Sequence, residues 1–77
     1  MKELLEYVVR YLVNDPDAVA VSVTQGDAVS ILGLRVAKAD LGRVIGKDGR
    51  TVMALRTVLN AVAARSHQKV ALEILES

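Results

Sequence analysis

A chain of 77 residues, 52% of them apolar, holds one small core and little more, which excludes a disordered segment and a multidomain enzyme. Its lack of cysteine excludes a disulfide framework and thiolate chemistry, and its apolar runs are too short to span a membrane, so a cytoplasmic protein is expected. The formal charge of +1 conceals a division: residues 35–69 carry eight Lys and Arg against two Asp, and the remainder carries two against seven acidic residues. A polyanion senses such a directional field.

Leu4, Leu5, Val8, Val9, Leu12 and Val13 recur at helical spacing, which predicts an amphipathic helix over residues 2–13. Lys2, Glu3, Glu6 and Arg10 interrupt its apolar run, unlike a secretory signal. Tyr7 and Tyr11 flank the stripe and are expected to rest their rings at the core edge. Asn14-Asp15-Pro16-Asp17 ends the helix, because proline disfavours helical backbone at the residue before it.

From Val19 the period changes to two. Val19, Val21 and Val23 alternate with Ala20, Ser22 and Thr24, the pattern of a strand with one wet face. Gln25-Gly26-Asp27 supplies hairpin chemistry, with Gly26 expected at positive φ. A second strand over 29–36 follows with two competing parities, Val29 and Ile31 on one and Leu32, Leu34 and Val36 on the other; the latter is favoured as core because Gly33 and Arg35 then face out.

A short helix is expected over 39–45, stopping at Gly46. Gly42 inside it costs helix stability unless something must approach closely there. A turn at 46–49 leads to a long helix over 50–65, whose buried stripe is expected to be Val52, Leu55, Leu59 and Val62. Ala54, Val58 and Ala61 form a second, small-residue face on the same helix, read either as the rim of the core or as a dimer interface. Ser66-His67-Gln68-Lys69 is a polar link. Val70, Leu72 and Ile74 then alternate with Ala71, Glu73 and Leu75 as a closing strand. The first two strands are antiparallel through their tight turn, and the long helical crossover permits a parallel third.

Val44-Ile45-Gly46-Lys47-Asp48-Gly49 is the stretch around which the rest is organised. Two glycines three apart let the backbone turn sharply and present amide groups outward. A helix starting just behind them aims free N–H groups and the positive end of its dipole at the same place, so a phosphate is the expected guest. Asp48 is expected to cap that helix by accepting from an amide near Arg50 or Thr51. The turn by itself would also suit a DNA-binding helix-turn-helix, but the surrounding strands fit poorly with an all-helical module. His67 stands alone, with no carboxylate or cysteine at ligand spacing, and reads as an ordinary exposed residue. No paired carboxylates, nucleophile–base set or triphosphate-binding loop is present, so no catalytic residue, metal, cofactor or small-molecule substrate is expected.

With the glycine turn set between two helices, the chain resembles the K-homology (KH) family of RNA-binding domains, whose mark is Ile-Gly-x-x-Gly, here Ile45 to Gly49. The extra helix and strand precede the strand–helix–helix–strand core, which is similar to the bacterial type II form. Asp40 to Gly46, followed by Gly49-Arg50-Thr51, looks closest to the small single-domain bacterial members, and the resemblance covers essentially the whole chain. It implies one α+β domain over residues 1–77, of order α-β-β-α-α-β, with three helices on one face of a three-stranded mixed sheet whose second strand is central.

By the same resemblance, Gly46 and Gly49 let the backbone approach a nucleic-acid phosphate and Lys47 offers it a charge. Gly42, Val44 and Ile45 lie beside a groove that takes about four unpaired bases of single-stranded RNA, or of single-stranded DNA. Arg43 and Arg50 flank the loop, with Arg35 and Lys38 on or just past the second strand. Asp48 stands where such loops often carry a basic residue. The resemblance also implies an RNA chaperone or post-transcriptional regulator, self-associating or paired with a larger KH-containing protein, and linked to cell-envelope growth and cell shape. With both tyrosines far from the loop and no other aromatic residue, base contact is expected to be aliphatic, weak and salt-sensitive. The competing expectation is a protein-interaction adaptor with a vestigial nucleic-acid site.

Overall fold

The computed structural model describes residues 1–75. In chain order it runs α1 (Lys2–Leu12), a 3-10 turn (Pro16–Ala18), β1 (Ala20–Gln25), β2 (Val29–Arg35), a 3-10 turn (Lys38–Asp40), α2 (Leu41–Ile45), a tight turn (Lys47–Gly49), α3 (Arg50–Ala64) and β3 (Lys69–Leu75). The helix–strand–strand–helix–helix–strand order is the expected one. β2 is central, antiparallel to β1 and parallel to β3, because the α2–α3 crossover brings the chain back in the same direction.

Register explains the core. Val21, Leu34 and Ile74 lie abreast across the three strands, as do Val23, Leu32 and Leu72. These residues share one face, since side chains alternate along a strand. The helices cover that face, burying Leu5 and Val9 of α1, Val44 of α2, and Val52, Leu55, Leu59 and Ala63 of α3 against it. Each buried leucine or valine contributes roughly 1.5–3 kcal/mol by leaving water. The opposite face carries Ser22, Thr24, Arg35 and Glu73 toward solvent, as the alternation predicts.

Several local expectations change. The stripe of α1 splits: Leu5, Val9 and Val13 are buried, while Leu4, Val8 and Leu12 turn toward α3 and remain partly open. Tyr7 and Tyr11 do not reach the core edge. They are exposed and pack edge-to-face on one another, with centroids 5.2 Å apart, and the neighbouring Tyr11 hydroxyl holds the Tyr7 phenol above its ordinary pKa. Val23 is exposed despite its inward parity, because it lies beside the first residues of α1, where helical cover ends. Gly26 needs no positive φ; its amide donates to Val29 O at 2.8 Å and closes the hairpin in ordinary backbone space. Gly33 does face outward, but Leu75 and Ser22 cover it so closely that an added Cβ would lie 3.0 Å and 2.7 Å from them. In α3, Ala63 is buried in place of the expected Val62, which is exposed. The helix rotates its narrow alanine onto the sheet where it ends.

That end is sharply closed. His67 adopts a left-handed φ of 55°, and the amides of His67 and Gln68 donate back to Ala64 O and Ala63 O, both at 3.1 Å, the paired bonds of a Schellman stop. Polar side chains of α3 then seal the edge strand β3. Asn60 accepts from Val70 N at 2.9 Å and donates to Val70 O at 3.2 Å, and Arg56 donates to Leu72 O at 3.2 Å. Replacing Asn60 with alanine removes both partners of Val70 and should lower stability by about 1–3 kcal/mol, read as a reduced urea midpoint with an unchanged slope.

Candidate nucleic-acid interface

α2 is short because Gly46 ends it. Gly46 has φ 77° and ψ 172°, a region open essentially only to glycine. A Cβ there would also collide with Thr51, whose backbone nitrogen would lie 2.8 Å away. Asp48 (φ 57°) and Gly49 (φ 74°) follow in left-handed backbone, so the chain reverses and re-enters a helix at once. An aspartate tolerates that conformation better than most residues with a Cβ.

The turn's hydrogen bonds differ from the simple expectation of outward glycine amides. Gly46 N donates to Gly42 O at 2.9 Å, Gly49 N to Gly46 O at 3.2 Å, and Arg50 N to Lys47 O. Among the described residues, the backbone amides without an acceptor in this turn are those of Lys47 and Asp48. The glycines therefore shape the loop, and the two residues between them offer the donors. Asp48 makes no side-chain cap; Gly49 occupies the cap position of α3 instead. Its left-handed backbone holds the Asp48 carboxylate away from the first-turn amides, leaving it exposed.

Around the turn, Lys47, Arg50, Arg43 and Lys38 are all exposed, as are Gly42 and Ile45. Val44 is not part of this surface. It is 0% exposed and anchors α2 in the core, as its position between two solvent-facing neighbours on a short helix requires. Arg35 is also set apart: its strand parity places it on the sheet face opposite the helices. Gly42 has helical backbone with nothing within 4 Å of an added Cβ, so no packing inside the chain requires a glycine there. Asp40, which the sequence offers as a counter-charge and as the first residue of the run leading to Gly46, is a buried structural residue. Its carboxylate accepts from Asn14 N and Asp15 N, each at 3.1 Å, and those partners lie too far back in sequence to be read from local pattern.

A second surface feature lies between α1 and α3. Leu4, Val8 and Leu12 face Thr51, Ala54 and Val58 across an apolar groove of about 280 Å³. Val58 is 52% exposed. Ala54 and Ala61 are exposed too, but Ala61 lies beyond the groove wall. Thr51 belongs to both features, lining the groove and packing against Gly46. Among the described residues, no helix is long and apolar enough to cross a membrane, and no group of three acidic, histidine or cysteine side chains is placed to hold a metal.

The family model for the KhpA/KhpB KH domain matches residues 2–74, nearly the whole chain. The chain belongs to the KhpA/KhpB KH-domain family. Among its relatives is the RNA-binding protein KhpA of Chlamydia trachomatis, 50% identical over 99% of this chain and 97% of its own length. Those of Clostridium acetobutylicum and Borreliella burgdorferi are 47% and 45% identical, covering 97% and 96% of this chain and 100% and 90% of theirs. Membership agrees with the type II order of elements and with the glycine turn between α2 and α3.

Two glycines, one inside α2 and one that ends it, should respond to substitution with opposite signs. Gly42→Ala removes a helix-breaking residue at an open site and should stabilise the fold by about 0.5–1 kcal/mol. Gly46→Ala forces left-handed strain onto a collision with Thr51 and should cost roughly 2–4 kcal/mol. Thermal melts of the two variants check both directions.

Proposed function

We propose that this protein is a non-enzymatic, cytoplasmic binder of single-stranded RNA, a single KH domain that rests a phosphate on the Lys47 and Asp48 amides and lays a few unpaired bases beside α2. The observation that carries this reading is the turn itself: two unpaired amides at the head of a fifteen-residue helix, ringed by exposed Lys47, Arg50, Arg43 and Lys38. Backbone donors and a helix dipole hold an anion without reading sequence. The names of the relatives, RNA-binding protein KhpA, support the same class of ligand. Ile45 and Gly42 supply an aliphatic floor where larger side chains would keep a ribose or base away. Arg35 joins only where a strand wraps past the sheet edge. Single-stranded DNA is a weaker alternative ligand on the same contacts.

Affinity for a short unstructured RNA should fall as salt rises, with a log–log slope near −2 to −3 for about three or four phosphate contacts. Lys47→Asp should lower affinity roughly tenfold and flatten that slope. Fluorescence anisotropy at two salt concentrations measures both; affinity indifferent to salt and to Lys47 would favour the adaptor reading.

The groove between α1 and α3 supports the partner half of the proposal. A small apolar trough edged by Ala54 and Val58 suits a second KH domain, from another copy of this chain or from a larger KH-containing protein. An RNA chaperone or regulator working in such a complex, with a role in envelope growth and cell shape, is the physiological reading. Val58→Asp places a charge in the trough and should shift a dimer to monomer in sedimentation velocity, with RNA binding per domain retained.

A further inference from the structure

Asp40 is 2% exposed, and the RNA reading of the turn makes no direct use of it. It stands immediately before α2, where an aspartate commonly caps its own helix, yet it makes no such bond. One oxygen accepts from Asn14 N and the other from Asp15 N, each at 3.1 Å, so both oxygens are fixed by the loop after α1. The Nε of Arg43, one helical turn on, lies 3.6 Å from Oδ1. That separation is an ion pair and not a hydrogen bond. The Arg43 side chain is 55% exposed, so its guanidinium has one flank on a rigid buried carboxylate and the rest in water, three residues before Gly46.

We propose that Asp40 is a positioning residue that holds Arg43 by its Nε and thereby aims the two terminal guanidinium nitrogens at an RNA phosphate beside the turn. The inference rests on the reading of this turn as an RNA site. A free surface arginine loses side-chain freedom when it grips a phosphate, and a partner that already restrains it removes part of that loss. A planar guanidinium serves two anions from different edges at once, whereas a lysine ammonium is a point charge that must choose between them. An arginine tied to a buried carboxylate is therefore not interchangeable with lysine at this position.

Anisotropy with a short fluorescein-labelled oligouridine tests this on the full chain as wild type, Arg43→Lys, Asp40→Asn and the double variant, each checked by a thermal melt. Arg43→Lys should weaken binding about five- to tenfold in the wild-type background and less than about twofold beside Asp40→Asn, the coupling expected of residues in contact. A purely structural Asp40 would leave the lysine substitution equally costly in both backgrounds, and that result overturns the proposal. So does a lysine variant that binds like wild type. Should Asp40→Asn fail to fold, 15N relaxation of the Arg43 Nε in the wild type decides instead: its order parameter should already be high without RNA and change little when oligouridine is added, and a side chain as mobile as the Arg50 guanidinium in the free protein overturns the proposal. A wild type that does not bind oligouridine at all overturns the RNA reading and this inference with it. Binding that ignores Arg43→Lys sinks the inference alone.

Discussion

The close approach of Gly46 to Thr51 is the constraint on which the rest of the molecule depends. Because no side chain intervenes, α2 ends and α3 begins within four residues, and the two helices leave the turn already in contact, with Val44 and Val52 both buried in the core. The same geometry directs the hydrogen bonds. Carbonyls of Gly42, Gly46 and Lys47 accept the bonds that close the turn, which leaves the amides of Lys47 and Asp48 without a backbone acceptor. A tight reversal of this kind frees backbone donors without a dedicated pocket.

The rigidity of that turn comes from below it. Val44 is locked in the core and Asp40 is held by two amides of a distant loop, so α2 is fastened just before its start and next to its end. Neighbouring positions on the same short helix, Gly42, Arg43 and Ile45, remain in solvent. Five residues thus divide cleanly between anchoring and display. Since the helix is too short to be stable by itself, its presentation is set by tertiary contacts.

Periodicity was enough to place the elements. The switch from helical spacing to alternation at Val19 marks the first strand, the parity of Leu32, Leu34 and Val36 is preferred over that of Val29 and Ile31 because it turns Gly33 and Arg35 outward, and the strands around the glycine pair at 46 and 49 favour a mixed fold over a helix-turn-helix. What escaped depended on contacts across long sequence separations. Ala63 replaces Val62 in the core because the sheet, and not the helix pattern, sets which side of the last turn is covered. Asp40 looks like any acidic residue until the loop at Asn14 and Asp15 folds over it. Asp48 carries a good capping side chain, but the backbone angles demanded by the turn take it out of reach. The polar ring around the turn is legible as a run of basic residues, and strand parity already turns Arg35 out of the core; that this sets it apart from the turn emerges only once the helices are seen on the opposite face.

The two side chains of α3 that bind the β3 backbone have a consequence for how this domain behaves among many copies of itself. A bare strand at the end of a three-stranded sheet invites another chain to continue the ladder. Here an asparagine and an arginine take up those main-chain groups first. A chain seeking to extend the sheet along that side must first displace these two side chains from Val70 and Leu72, which disfavours growth into a ribbon or fibril there.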